Sequence, residues 1–91
     1  MIYEIDFSPS SKKVLKKWKK SNPSLFAKVS SILVELGEHP RTGTGHPEAL
    51  KGGRGITYSR RITAHDRIIY DIYDERVEVM VLDVEGHYED K

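Results

Sequence analysis

The fold of this chain is decided by residues 56–85, which read ITYSRRITAHDRIIYDIYDERVEVMVLDVE. Apolar and polar residues alternate in 56–62 and again in 67–73, a period of two that is typical of strands burying one face. Residues 77–85 are apolar on both faces, which favours a central strand. The two polar turns between these runs are short, and short connections force neighbouring strands to run antiparallel. The sequence therefore predicts a three-stranded meander.

One strand and two helices are predicted upstream of this meander. Residues 2–7 alternate as a half-buried strand does. Ser8-Pro9 and Asn22-Pro23 each combine an N-cap residue with proline at the first helical position. The helices they start are expected to end at Lys20 and at Gly37, since glycine commonly terminates a helix.

Glycine- and proline-rich residues 39–55 predict a loop. The predicted order is thus β-α-α-β-β-β, an α+β fold with a small, twisted, mainly antiparallel sheet and a two-helix hairpin on one face. Its 91 residues correspond to one domain, residues 1–91.

The charge of the chain is unevenly distributed. Residues 12–67 hold 13 Lys and Arg against four Asp and Glu, a net charge of +9, whereas residues 68–91 have a net charge of −6. This division indicates a basic face for a polyanion and a separate acidic region; two solvated faces of an ordinary domain are the alternative. With no cysteine, no signal peptide and no apolar run long enough to span a membrane, we expect a cytoplasmic protein.

Several residue types in the chain match the needs of RNA backbone cleavage. Attack of a ribose 2′-OH on the adjacent phosphate needs a base, an acid and positive charge on the phosphorane. Glu48 can serve as base and His87 as acid, while Arg61 and Arg67 have the bidentate geometry that phosphate oxygens accept. Tyr58 and Tyr88 are candidates for stacking an unpaired base. Each of these residues taken singly is compatible with an ordinary surface position.

Lysines cover most of the first predicted helix outside its apolar stripe. They form either an RNA-facing surface or a solubilising one. The full set of predicted RNA contacts is Lys51, Tyr58, Arg60, Arg61, Lys12, Lys13, Lys16, Lys17, Lys19 and Lys20. The four histidines are far apart in sequence and show no metal-ligand spacing, so neither a metal nor a cofactor is expected.

The series Gly-His-Pro-Glu-Ala-Leu-Lys (45–51), Ser-Arg-Arg-Ile-Thr (59–63), Arg-Ile-Ile-Tyr (67–70) and terminal His-Tyr (87–88) resembles the Txe/YoeB toxins of the RelE/ParE superfamily. The resemblance implies a toxin of a type II toxin–antitoxin system that binds the ribosomal A site and cuts mRNA there without a metal. It also implies a cognate antitoxin of the YefM/Axe type, and a homodimer stays an open alternative.

The resemblance assigns roles to individual residues. It implies that Glu48 is the general base, His87 the general acid and Arg67 the stabiliser of the transition state, with Tyr88 in the same catalytic site. Arg61 and Lys51 are implied as supporting phosphate contacts. Two other functions stay open at this point: a ParE-like toxin of the same fold without ribonuclease activity, and a non-catalytic module that binds RNA or the ribosome.

Overall fold

The computed structural model describes residues 2–50 and 56–85, with only the backbone of Glu85 included. The elements follow the predicted order with one addition, a short strand before the meander. They are β1 (Glu4–Phe7), α1 (Pro9–Ser21), α2 (Pro23–Glu38), β2 (Glu48–Ala49), β3 (Thr57–Arg61), β4 (Arg67–Tyr73), a 3-10 turn (Asp74–Arg76) and β5 (Glu78–Glu85).

The strands form one five-stranded sheet in the order β1-β5-β4-β3-β2. Strands β2 to β5 pair antiparallel with their neighbours, and β1 pairs parallel with β5. The predicted meander and the central place of its last strand are both confirmed. The α+β class is confirmed as well, since the sheet carries two helices.

The two helices begin where the sequence predicts. The Ser8 side chain accepts a hydrogen bond from the Ser11 backbone N–H, 3.2 Å, and caps α1. Asn22 closes α1 through its own N–H, which donates to the Trp18 carbonyl at 2.8 Å. The Asn22 side chain also accepts from the Leu25 N–H and so caps α2. One residue therefore ends the first helix and starts the second, which makes the hairpin tight.

The prediction that Gly37 ends the second helix is wrong. α2 continues through Gly37 to Glu38. The helix contacts β1 at this point: the Gly37 carbonyl accepts a hydrogen bond from Tyr3 N–H at 2.7 Å. A Cβ at Gly37 would lie 3.4 Å from the Tyr3 carbonyl oxygen, so β1 approaches the helix backbone closely at this point.

Both helices pack on the same face of the sheet. The buried core contains Trp18, Val29, Ile32 and Leu36 from the helices and Ile62, Ile68, Tyr70, Ile72, Val79, Val81 and Val84 from the sheet. The opposite face, which we call the open face, carries no helix within residues 2–50 and 56–85. Within those residues, no helix is both long and apolar enough to span a membrane.

The loop predicted over residues 39–55 contains a strand that the sequence did not reveal. Glu48 and Ala49 form β2 by pairing with Ser59 and Tyr58 of β3. Two residues are too few to show a period, and their pairing partners lie nine or more positions away. Glu48 is consequently held at a sheet edge rather than in an irregular loop.

Candidate active site

Glu48, Arg61 and Arg67 lie on the open face at the same end of the sheet. The register pairs Glu48 with Ser59 across β2 and β3, and Arg61 with Arg67 across β3 and β4. Directly opposed residues of an antiparallel pair point to the same face, and Ser59 and Arg61 are two residues apart on one strand. With strands about 4.8 Å apart, the Cα atoms of Glu48 and Arg67 are separated by roughly 12 Å, a gap that the two side chains extend into.

Ser59 and Arg67 lie together in one part of this region, beside two apolar residues. The Arg67 guanidinium donates to the Ser59 hydroxyl at 3.4 Å, a long and weak contact. With Leu50 and Ile69 these two residues line an open cavity of about 370 Å³. Ser59 is not among the predicted site residues, although it lies inside the Ser-Arg-Arg motif, because a lone serine in a strand gives no functional signal.

A second open groove, of about 620 Å³, lies on the other side of Glu48. Its lining consists of Gly43, His46, Pro47, Glu48 and Arg61. His46 has a φ of 52°, in the left-handed region that residues with a Cβ seldom adopt. Such a conformation costs about 1–3 kcal/mol and is concentrated at functional sites. His46 is not among the predicted site residues.

The charged groups of this region are not neutralised by described neighbours. The ion pairs among residues 2–50 and 56–84 are Arg41–Asp74, Arg60–Glu35 and Arg76–Glu78, and none of them uses Glu48, Arg61 or Arg67. Glu48 and Arg61 are exposed, and Arg67 is half-buried. Among those residues, one carboxylate and two guanidinium groups on the open face have no ion-pair partner.

The loop that leads into Glu48 is attached to the turn between β4 and β5. Arg41 makes two hydrogen bonds to the Asp74 carboxylate, at 2.7 and 3.2 Å, and the Tyr3 hydroxyl donates to the same group at 2.6 Å. These bonds, the one from Arg41 first, hold the pKa of Asp74 below its ordinary value. The bond to Asp74 also raises the pKa of the Tyr3 hydroxyl.

A family model described as the YoeB-like toxin of bacterial type II toxin–antitoxin systems matches residues 7–88 of this sequence. The chain belongs to this family. Toxin YoeB of Escherichia coli O6:H1 is 31% identical over 58 residues, which are 64% of this chain and 69% of that toxin.

Solved structures of YoeB-like toxins share the fold along almost the whole chain. A YoeB/ParE toxin from Agrobacterium tumefaciens superposes with a TM-score of 0.85 at 27% identity, covering 93% of this chain and 99% of its own. A YoeB dimer from Staphylococcus aureus gives 0.83 at 26% identity, covering 97% and 100%. A heterotetrameric YoeB–YefM toxin–antitoxin complex from the same organism gives 0.81 at 26% identity, with the same coverage.

Some residues expected at the site of this YoeB-like toxin are elsewhere in the structure. Tyr58 pairs with Tyr70 and stacks on its ring at a centroid distance of 6.1 Å, so it faces the helices and not the open face. Arg60 is completely buried on that same side, where it cannot reach a bound RNA. We therefore remove Arg60 from the proposed RNA contacts. The six lysines of α1 also belong to the helix layer, across the sheet from Glu48 and Arg67.

Three further predicted residues of this YoeB-like toxin, Lys51, His87 and Tyr88, lie outside the described residues. The last described residue of β5, Glu85, pairs with Arg67. Glu85 therefore lies beside Arg67, at the end of the sheet where Arg61 also lies. This neighbourhood is relevant to His87 because only one residue separates it from Glu85 in the sequence.

Proposed function

We propose that this chain is a ribosome-dependent endoribonuclease that cleaves mRNA in the ribosomal A site. The observation that carries the proposal is the arrangement of Glu48, Arg61 and Arg67 at one end of the open face, with no described ion-pair partner. A carboxylate beside two guanidinium groups is suited to RNA cleavage, in which the ribose 2′-OH must lose a proton and the phosphorane oxygens gain negative charge. Membership of a toxin family supports the same class of activity.

The proposed reaction is transesterification within the RNA backbone. Glu48 accepts the proton of the 2′-OH as its oxygen attacks the adjacent phosphorus. Arg67 and Arg61 stabilise the negative charge on the phosphorane oxygens. The bond from phosphorus to the 5′-oxygen breaks, and His87 donates the proton that this leaving oxygen takes. The products are a 2′,3′-cyclic phosphate and a 5′-hydroxyl.

Chain geometry supports the inclusion of His87 and Tyr88. Glu85 lies opposite Arg67, and two residues reach about 7 Å at most. His87 follows Glu85 by two positions in the sequence, and we propose that it acts at this end of the sheet. An imidazole with an ordinary pKa near 6.5 can donate a proton close to neutral pH. Tyr88 is proposed to contact the substrate at the same place, with Lys51 as a further phosphate contact.

The partners of this chain are part of the proposal. The toxin in the Staphylococcus aureus complex is bound by YefM, and we propose a cognate antitoxin of that type for this chain. The Staphylococcus aureus toxin was solved as a dimer, and we propose a homodimer as the oligomeric state to test for this chain. Ribosome and mRNA are the proposed target, and α1 with its exposed lysines is the proposed electrostatic contact with ribosomal RNA.

The test is cleavage of mRNA on purified, programmed ribosomes, read by primer extension. The wild type is expected to cut within the A-site codon and to leave naked mRNA intact. Glu48→Gln should lower the single-turnover rate about 10²- to 10⁴-fold, the usual worth of a general base. Arg67→Ala should lower it about 10²- to 10³-fold, as loss of an oxyanion-stabilising group does.

Glu75→Gln is the matched control, because Glu75 is exposed on the 3-10 turn. It should cut at the wild-type rate. Growth arrest by the wild type without any cut in mRNA would contradict the proposal and favour the ParE-like alternative. If Glu48→Gln binds the ribosome and inhibits translation as strongly as the wild type does, the result would favour a non-catalytic binding module.

A further inference from the structure

Arg60 is a charged side chain in the core of the protein, and its contacts explain why. It is completely buried, and its guanidinium donates to the carbonyl oxygens of His39 and Thr42 at 2.8 and 2.9 Å. It also forms an ion pair with Glu35 at 2.8 Å. Every one of these partners lies on α2 or on residues 39–47, which we call the Glu48 loop.

Glu35 extends the same attachment from the other side. Its carboxylate accepts from the backbone N–H of Thr44 at 2.7 Å and from the Thr44 hydroxyl at 3.1 Å. The pKa of Glu35 is lowered, first by the Thr44 backbone N–H, with the Thr44 hydroxyl and the charge of Arg60 acting in the same direction. The ionised carboxylate thus joins Arg60 and the Glu48 loop in one network.

The end of the Glu48 loop is fixed by its backbone. The Arg61 N–H donates to the Gly45 carbonyl at 2.7 Å, and Gly45 has a φ of +87°. A Cβ on Gly45 would overlap the Arg61 carbonyl oxygen, so loop and strand are in direct contact there. Three residues after Gly45, Glu48 enters β2 and pairs with Ser59, the neighbour of Arg60.

We propose that Arg60 and Glu35 are positioning residues that hold the Glu48 loop so that the exposed Glu48 carboxylate points at the substrate. This inference rests on the proposed function, in which Glu48 is the base. Glu48 has no ion-pair partner among the described residues, and its backbone pairs with Ser59 in β2. Breaking a buried ion pair is costly, whereas its net gain over apolar packing is small, and positional specificity accounts for its presence here.

The test uses Glu35, because removal of the core residue Arg60 is expected to reduce the folded fraction. The Glu35 side chain is 31% exposed, so its truncation opens a path for water to the Arg60 guanidinium. Loss of the ion pair still lowers the free energy of unfolding, so kcat is normalised to the folded fraction of each variant, measured by urea denaturation. Glu35→Ala is expected to lower kcat on programmed ribosomes about 10- to 100-fold, since a misplacement of about 1 Å can cost about 10²-fold in rate. KM should stay within about twofold, because the guanidinium groups that bind RNA are untouched.

Two further variants separate positioning from a merely structural role. Glu35→Gln keeps an oxygen that can accept from Thr44 and should recover most of the lost kcat. Glu38→Ala, an exposed position on the same helix, is the matched control and should behave as wild type. In a Glu48→Ala background, Glu35→Ala should cause no further loss, because a residue that acts through Glu48 is not additive with it.

The proposal is overturned if Glu35→Ala leaves kcat unchanged, or if its effect is the same with and without Glu48. Amide hydrogen exchange tests the loop independently of activity: Glu35→Ala should expose the N–H groups of Thr44 and Arg61, and unchanged protection would contradict the network. A wild type that cuts no RNA would instead remove the proposed function. The exchange result would then still decide whether Glu35 holds the Glu48 loop.

Discussion

Arg60 and Arg61 show how strongly a single residue's role depends on the strand that carries it. They are adjacent in the sequence, yet alternation along β3 sends Arg60 into the core and Arg61 to the open face. The buried guanidinium lies 5.9 Å from the ring of Tyr70 and bonds to backbone carbonyls, while the exposed one borders the groove of Glu48. Of the two, only Arg61 is placed to contact a phosphate.

Tyr70 provides a test of buried hydrogen bonding at the same scale. Its hydroxyl donates to the Pro40 carbonyl at 2.7 Å, and burial raises its pKa. Tyr70→Phe should lower the free energy of unfolding by about 1–3 kcal/mol, because the buried carbonyl loses its donor. The measurement is urea denaturation, with Tyr3→Phe at the exposed bond to Asp74 as control. Equal effects of the two substitutions would contradict the expectation.

The lowered pKa of Glu35 predicts how the stability of the protein changes with pH. Its pKa in the folded state is below the ordinary value of 4.5, so the ionised form favours folding. The stabilisation should be complete above pH 4.5 and should be lost as the pH falls through the lowered folded-state pKa. Glu35→Gln should flatten this part of the pH profile of unfolding free energy. A variant with the wild-type acid slope would refute the assignment.

At the scale of elements, the shortest strand of the sheet has the largest functional consequence. Strand β2 contains two residues, and its pairing with β3 places Glu48 on the row of Ser59. The Glu48 loop that precedes it is connected to α2 through Glu35 and to the β4–β5 turn through Arg41. Elements that are distant in sequence therefore determine together where this carboxylate lies.

Replacing a glycine with alanine should have different effects on stability in the Glu48 loop and in α2. Gly45→Ala should destabilise the protein by at least about 1–3 kcal/mol, because the left-handed backbone is strained for alanine and the added Cβ meets Arg61. Gly37→Ala should change stability by less than about 1 kcal/mol, since alanine favours the helix and the nearest atom is 3.4 Å away. Thermal and urea unfolding of both variants would check this. Equal destabilisation by the two substitutions would show that the positive φ of Gly45 does not make this position more sensitive to alanine than Gly37.

Across the whole molecule, the sheet separates two positively charged regions. Arg61 and Arg67 lie on the open face, and the exposed lysines of α1 lie in the helix layer. Most of the basic charge is in residues 12–67, and residues 68–91 carry the acidic excess. A chain with this distribution is expected to approach a large polyanion on more than one side, as the ribosome would allow.

Charge reversal on α1 should therefore affect binding and not the chemical step. Lys16→Glu with Lys19→Glu is expected to raise KM for programmed ribosomes and to reduce the salt dependence of binding, since fewer counterions are released from RNA. The cleavage rate of the bound complex should be unchanged. A drop in kcat at constant KM would instead place these lysines close to the reacting phosphate.

The sequence by itself determined the features that depend on neighbours along the chain. The N-caps at Ser8 and Asn22, the period-two strands of the meander and the central place of β5 follow from local steric and hydrophobic rules. The motif series also led to the right toxin family. Glu48, Arg61 and Arg67 stay predicted site residues, and the sequence left open whether they lie close together.

Tertiary structure decided what depends on residues far apart in the sequence. The pairing of Glu48 with Ser59 creates β2, the Tyr3 N–H bonds to the Gly37 carbonyl of α2, and the ion pair of Arg60 with Glu35 joins β3 to α2. None of these has a local signature, because each arises from a backbone contact or an ion pair formed only after the helices pack on the sheet. The register between β2, β3 and β4, which no single segment encodes, places Glu48, Arg61 and Arg67 on one face.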